Sequence, residues 1–444
     1  MTNWPRVPIS ELCQLIVDCV NKTAPCVEHE TPYKMIRTTN IKNGRIDLSS
    51  CDFVSEETFE KWTKRATVKK GDVLLTREAP MGEVGKVNFN DNVFLGQRIV
   101  QYRTNPKKLD QNYLLYSFLS PDLQYQFKKH DGNGSTVSHI RVPDCLKFEI
   151  PLPELSEQKR IAAVLLALDK KIDLNRRINV ELESLAKTVY DYWFVQFDFP
   201  DAQNRPYKTS GGAMNWNDSL GQEIPSGWGD DNISAIADIL GGGTPRKENP
   251  EFWNGDIPFF TPTDASGDAF QLKTEDALTQ TGLKNCSSRP FARGTIFITA
   301  RGSVGKVTIA GRTMAMNQSC YALQPKDFKN FPYVFLHAKT LVHHLKVKAS
   351  GSTFNSIVTN DIGWTRLISP NPELISKFCK FVTPIFERIE AAQKENIELS
   401  ALRDWLLPLL MSGQVRVKDV GDAPITITSK KLMTEFESVC SLAA

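Results

Sequence analysis

Little in this chain suits a membrane, an oxidising compartment or a bound metal. Across its 444 residues no apolar run approaches the length of a membrane span. The segment Met1-Thr2-Asn3-Trp4-Pro5-Arg6 lacks the apolar core of a signal peptide, so a cytoplasmic protein with no membrane partner is expected. The nine cysteines are odd in number and scattered, and none forms a CxxC pair. That argues against a zinc knuckle or a disulfide framework and for reduced thiols. No metal site is expected, because the six histidines show neither metal nor triad spacing. The net charge is only +3, without a long Lys/Arg run, which excludes an unstructured basic tail. If the chain binds DNA, it does so through local basic patches on folded domains.

Enzyme signatures are equally scarce. Asn105-Pro106, Asn249-Pro250 and Asn371-Pro372 are each followed by a charged residue, so no Asn-Pro-Pro-aromatic motif for adenine methylation exists. Gly302-Ser303-Val304-Gly305-Lys306 has the wrong spacing for a phosphate loop, and Val307 stands where Ser or Thr is needed. A Gly-Lys turn between strands, matched by Gly85-Lys86, is the better reading. Pro143-Asp144 with Glu149 hints at a nuclease carboxylate cluster, but Pro151 replaces the lysine. Gly241-Gly242-Gly243-Thr244 reads as a flexible loop, and His343-His344 as residues flanking a helix. No catalytic residue is assigned.

What the chain does have is an internal repeat. Asn179-Val180-Glu181-Leu182 aligns with Asn396-Ile397-Glu398-Leu399, and Gly134-Ser135-Thr136 with Gly351-Ser352-Thr353, both at an offset of 217. Upstream the offset drifts: Gly85-Lys86-Val87 matches Gly305-Lys306-Val307, and Gln97 matches Gln318. So long a period means a duplicated domain pair and not a solenoid.

Each copy changes character partway. Short extended runs such as Val73-Leu74-Leu75-Thr76 follow turn signals, and Tyr113 to Leu119 reads as a helix stopped by Pro121. From Ser156, a plausible N-cap, apolar residues then recur in steps of four and three: Ile161, Leu165, Leu168, Ile172, then Ile178, Leu182, Leu185, Val189. That is an amphipathic helix roughly 55 Å long with a coiled-coil seam. In the second copy the seam is Phe378, Val382, Ile385, Ile389, Leu399, Leu402 and Leu406, with Pro384 expected to kink the helix or mark a late start. Two such stripes most simply pack on each other, antiparallel. Asn179 and Asn396 fall near the seam, either fixing its register or as solvated flanks.

The remaining chemistry lies in polar, basic loops. In the first copy these carry Lys22, Thr23, Arg37, Thr39, Asn40, Arg77, Gln97, Arg98, Ser135 and Thr136. In the second they carry Thr244, Arg246, Lys247, Thr263, Arg301, Asn317, Gln318, Ser352, Thr353 and Asn355. Arg, Asn and Gln can read base edges bidentately, while Lys, Ser and Thr clamp phosphates. Turn chemistry explains any one of them as well. The case for DNA contact rests on recurrence of the set in both copies.

Three stretches carry a family resemblance: Leu155-Ser156-Glu157-Gln158-Lys159-Arg160-Ile161-Ala162, Tyr190-Asp191-Tyr192-Trp193-Phe194, and Leu402-Arg403-Asp404-Trp405-Leu406-Leu407-Pro408. With Gly243-Thr244-Pro245 and Ile36-Arg37-Thr38-Thr39-Asn40, the chain resembles the specificity subunit of type I restriction-modification systems over nearly its full length. Leu374-Ile375-Ser376-Lys377 departs from the family, lacking the usual Glu-Gln pair.

The resemblance implies an α+β fold: two mixed α/β target-recognition domains separated by two long antiparallel coiled-coil helices in a pseudo-two-fold duplicate. The expected divisions are recognition domains at 1–152 and 224–371, long helices at 153–199 and 372–413, a linker at 200–223 and a tail at 414–444. The implied role is non-catalytic, in a bacterial or archaeal cytoplasm. Each domain would read half of a split site in double-stranded DNA, beside two methylase subunits and two restriction subunits. S-adenosylmethionine, and ATP with Mg, would then belong to those partners, with no cofactor in this chain. The competing readings are a stand-alone DNA-modifying enzyme and a coiled-coil adaptor.

Overall fold

The two sheet systems of the chain share one strand order. The structure, a computed structural model, describes residues 4–130, 138–348 and 356–417. It divides into two units, Met1–Ile172 with Glu398–Ala444, and Asp173–Ile397.

In the first unit Cys13–Asp18, Ile99–Thr104, Val73–Thr76 and Val84–Lys86 lie side by side in that order as one sheet. In the second, Ala237–Gly241, Cys320–Pro325, Ile296–Thr299 and Val307–Ala310 repeat the order, and Phe270–Gln271 adds an edge. A smaller three-stranded sheet accompanies each. Its central strand, Tyr33–Ile36 or Trp253–Phe260, pairs in parallel with Asn92–Leu95 or Ala315–Met316. In the larger sheets Val73–Thr76 and Ile296–Thr299 are buried at every position because their alternating side chains enter two different cores. Val73 and Leu75 join one cluster while Leu74 joins another, and Ile296 and Ile298 part from Phe297 in the same way.

Strand registers correct the sequence alignment. Ile99 pairs with Thr76, as Cys320 pairs with Thr299. Leu75 pairs with Val84, as Ile298 pairs with Val307. The counterpart of Gly305 is therefore Gly82, whose N–H donates to Thr76 O as that of Gly305 does to Thr299 O. Gly85 lies inside a strand.

The long helices are Leu155–Phe194 and Pro372–Met411, each of 40 residues. Each contributes one part to each unit. In the second unit they run antiparallel: Asn175 donates to Asn396 Oδ1 (3.0 Å), Asn179 to Ile389 O (3.4 Å), and Trp193 packs on Phe378. In the first unit Asp169 meets Arg403 at 2.9 Å.

Ile161, Leu165, Leu168, Ile172, Val382, Ile389 and Leu399 are buried, while Leu182 and Ile385 pack partly buried against the core. Leu185 is exposed, and Ala186 takes its place inside. The four–three spacing runs unbroken through Asn175, Asn179, Leu182, Ala186, Val189 and Trp193. An apolar-only count misses its polar members and slips by one residue.

Other expectations also change. Ser156 lies within the helix, which starts at Leu155. Pro384 sits inside an uninterrupted helix, its ring on the exposed side. Pro121 opens a second short helix, Pro121–Lys128, as well as ending the first. The segment 200–223 holds a hairpin strand, Met214–Asn217, paired with Gln222–Pro225. His343 and His344 lie within the helix Phe331–Lys348. Among the described residues no helix is long and apolar enough to cross a membrane.

Candidate nucleic-acid interface

A glutamine turn ties together the loops of each unit. In the first, Gly96-Gln97-Arg98 joins Asn92–Leu95 to Ile99–Thr104. Gly96 N–H donates to Ile36 O (2.7 Å), and Arg77 N–H donates to Arg98 O (2.7 Å). The Gln97 amide oxygen, in the orientation its neighbours require, accepts from the N–H groups of Lys22 and Thr23 at 3.2 and 3.1 Å. Ile140 N–H donates to Arg77 O, closing a fourth strand of chain onto the turn.

The second unit builds the same turn from Asn317-Gln318-Ser319. Asn317 N–H donates to Phe260 O (3.0 Å), and Ala300 and Arg301 N–H groups donate to Ser319 O (2.8 and 3.2 Å). Thr244 donates its hydroxyl to Gln318 Oε1 at 2.5 Å, and Ile357 N–H donates to Ala300 O. Thr263 shares a 2.7 Å hydroxyl contact with Thr261, whose own hydroxyl donates to Asp264. One sequence-distant turn thus gathers Lys22, Thr23, Arg77, Gln97 and Arg98 in one unit. Its counterpart gathers Thr244, Thr263, Arg301, Asn317 and Gln318 in the other.

The side chains differ in what they leave available. Lys22, Thr23 and Thr39 are exposed, as are Arg246, Lys247, Thr263, Arg301 and Gln318. Arg37 and Arg98 are exposed too, but pair with Asp52 and Glu78, each at 3.3 Å. Arg77 donates to Ile140 O (3.0 Å), and its Nε is buried without a partner. Asn40 is buried, with Oδ1 on Arg37 N–H and Nδ2 on Ser50. Its amide staples the loop and is withdrawn from base reading. Asn317 is likewise committed in part, its Oδ1 accepting from Ser319 N–H. Ser135, Thr136, Ser352, Thr353 and Asn355 lie outside the described residues.

Beneath the turns the thiols are closed off. Cys19 Sγ accepts from Arg98 N–H, and burial pushes the Cys320 thiol up to about 12. The Gly241-Gly242-Gly243 loop is packed rather than flexible: a Cβ on Gly242 would lie 2.3 Å from the carbonyl oxygens of Met316 and Asn317. Asp144 is tied into an ion-pair cluster. Burial raises it, but Arg141 and Lys147 hold it below its ordinary value. Among the described residues no group of three or more His, Cys, Asp or Glu could hold a metal ion. Thr38, which donates to Ala79 O, and Glu78 also belong to the first turn's surroundings, though neither stands among the candidate residues read from the sequence. Neither sits in a pattern that differs from ordinary loop composition.

An exposed surface of Arg, Lys, Gln and Thr donors on rigidly tied loops can hydrogen-bond base edges and phosphates alike. Comparison with known proteins points the same way. The HindI type I restriction enzyme specificity subunit of Haemophilus influenzae is 24% identical over 441 residues, covering 86% of this chain and 94% of that protein. The MjaIX specificity subunit of Methanocaldococcus jannaschii is 27% identical over 374 residues, covering 81% and 82%. The crystal structure of a type I restriction-modification S subunit from M. genitalium superposes with a TM-score of 0.52 at 18% identity, covering 92% of this chain and 96% of that one. The family model for the type I restriction modification DNA specificity domain matches twice, over 1–184 and 225–400, and the chain belongs to that family.

Proposed function

We propose that this chain is the DNA-reading subunit of a type I restriction-modification complex, each unit reading one half of a bipartite duplex site. The observation that carries the reading is the glutamine turn built twice, each time with exposed donors on the loops it ties. The chain supplies recognition and no chemistry. A methylase partner, in two copies, uses S-adenosylmethionine to methylate an adenine flipped from the stack. Two restriction subunits add cleavage with ATP and Mg. The working place is the cytoplasm of a bacterial or archaeal cell.

Exchange of residues 224–371 for those of a relative tests the reading. Mapping of N6-methyladenine should show one half-site changed and the other kept. A swap that rewrites both halves refutes the division of labour. Methyl transfer by the purified chain alone with S-adenosylmethionine would favour the enzyme alternative instead.

A further inference from the structure

The two units differ sharply at one turn, and the difference has the form of an anion site. In the second unit the turn from Thr299 to Lys306 runs through Arg301, Gly302 and Ser303. Arg301 has no acidic partner among the described residues, and neither Gly302 N–H nor Ser303 N–H donates to any described acceptor. Gly302 and Gly305 adopt φ of +78° and +79°, which turns the backbone back on itself. Gly305 lies against Lys346: a Cβ there would come 2.8 Å from Lys346 Cε.

Beside Gly305 is a cleft of about 170 Å³ lined by Val307, Lys339, Val342, His343 and Lys346. Lys339 is occupied by Glu183 at 3.3 Å and by the Phe335 ring at 4.4 Å. Lys346 has no acidic partner among the described residues. Burial, and then the charges of His343 and Lys348, push the neighbouring His344 down.

The matching turn of the first unit reads Glu78-Ala79-Pro80-Met81-Gly82. Glu78 stands at the position of Arg301 and pairs with Arg98. Pro80 stands at the position of Ser303 and has no N–H to offer. The matching turn thus carries donors in one unit and, across a cis Ala79-Pro80 peptide, a carboxylate and a tertiary amide in the other.

We infer that the cleft at Gly305, with the Arg301-Gly302-Ser303 turn beside it, holds a phosphate of the DNA backbone, and that the first unit has no counterpart. Lys346 supplies the point charge, and Arg301 with the two free N–H groups supplies directed hydrogen bonds. The inference rests on the DNA-reading role proposed above and assigns its electrostatic anchor to one half.

The test measures duplex binding by the full chain assembled with its methylase partner, across a salt series. Each lost phosphate contact lowers the slope of log K against log salt by about 0.9. Lys346→Gln combined with Arg301→Gln should reduce the slope by about that amount, and each single variant by part of it. Lys129→Gln, 217 residues before Lys346 in the first unit, where Gly82 faces Gln124 and Phe127 instead, should leave the slope as it is. Unchanged slopes in the Lys346 and Arg301 variants overturn this inference alone, and an equal fall with Lys129→Gln overturns the asymmetry. Inorganic phosphate at constant ionic strength separates the sources. Phosphate binding that is lost in Lys346→Gln while the DNA slope persists would make this a free-anion site, against the inference. Absence of salt-dependent duplex binding by the unaltered assembly removes both readings.

Discussion

Where the long helices meet the globular parts, the two units solve one packing problem with different chemistry. In the second unit Tyr190, Trp193 and Phe194 of the first helix close on Phe378 of the second, with ring centroids 5.0 to 6.0 Å apart. In the first unit the equivalent positions are Leu407, Leu410 and Met411, closing on Ile161. There Tyr116 donates to Asp169 at 2.6 Å, and Asp169 pairs with Arg403. The matching positions in the second unit are Tyr333, Phe386 and Ala186, an apolar set. A duplicated scaffold thus closes on its long helices with aromatic contact and a neutral Tyr190–His337 hydrogen bond in one copy, and with a charged link in the other.

The contrast breaks most visibly at its aromatic centre. Phe378→Ala removes a fully buried ring and should cost about 3–5 kcal/mol. Hydrogen exchange should show the loss of protection confined to 173–397. Equal loss in both units would show that the chain opens as one body and that the comparison does not describe separate units.

A smaller effect is expected from the polar link. Asp169→Asn leaves the Arg403 charge poorly matched, at a cost of about 1–3 kcal/mol. Asp169→Phe with Arg403→Ala transplants the second unit's solution and should recover part of that loss, since a well-packed apolar replacement for a pair held largely out of water costs little. Denaturant unfolding of the single and double variants decides. A double variant worse than the sum of its parts would show that the first unit cannot house the aromatic solution.

Acid sharpens the comparison further. Glu390 is buried in the second unit. Burial pushes its carboxyl up, but hydrogen bonds and charge from Arg293 and Lys394 bring it below its ordinary value. A carboxyl depressed in the folded state stabilises above its unfolded value and loses that contribution as pH falls through the folded one. The second unit should therefore lose protection below about pH 4.5. Glu390→Gln should flatten that dependence, as pH-dependent hydrogen exchange will show.

The smallest expected change is at the glutamine turns. Gln97→Ala leaves two N–H groups without their acceptor and should loosen the Lys22–Thr23 loop by about 1 kcal/mol. Gln318→Ala loses one exposed hydroxyl contact and should cost less. Local exchange rates at Lys22 and Thr244 compare them directly.

The duplication, the paired helices and the buried seam were legible because apolar periodicity records which face meets a core. The seam was misread where polar residues joined it, since Asn175 and Asn179 carry no apolar signal although both are buried. Offset drift hid the equivalence of Gly82 and Gly305, because short loops absorb insertions without changing strand register. The loop residues were legible only as a set. Asn40 and Arg98 share a composition with base readers, and only the fold reveals that one is a loop staple and the other is paired with Glu78. The anion-receptive turn was in view as Gly302 to Lys306, but its significance lay in Lys346, forty residues along the chain on another element.

The sharing of both long helices has a consequence for the order in which the protein can come into being. The first unit opens with the earliest described residues, yet its core includes Leu399, Leu406, Leu410 and Met411. A nascent chain that has just finished Ile172 lacks Leu399, Leu406, Leu410 and Met411, which share a core with Ile161, Leu165 and Leu168. The second unit, contained between Asp173 and Ile397, can be completed first. The later-encoded half is thus the earlier one to mature, and a message cut short just after Ile397 would yield one finished unit attached to one that waits for Glu398–Met411, the closing turns of the second long helix.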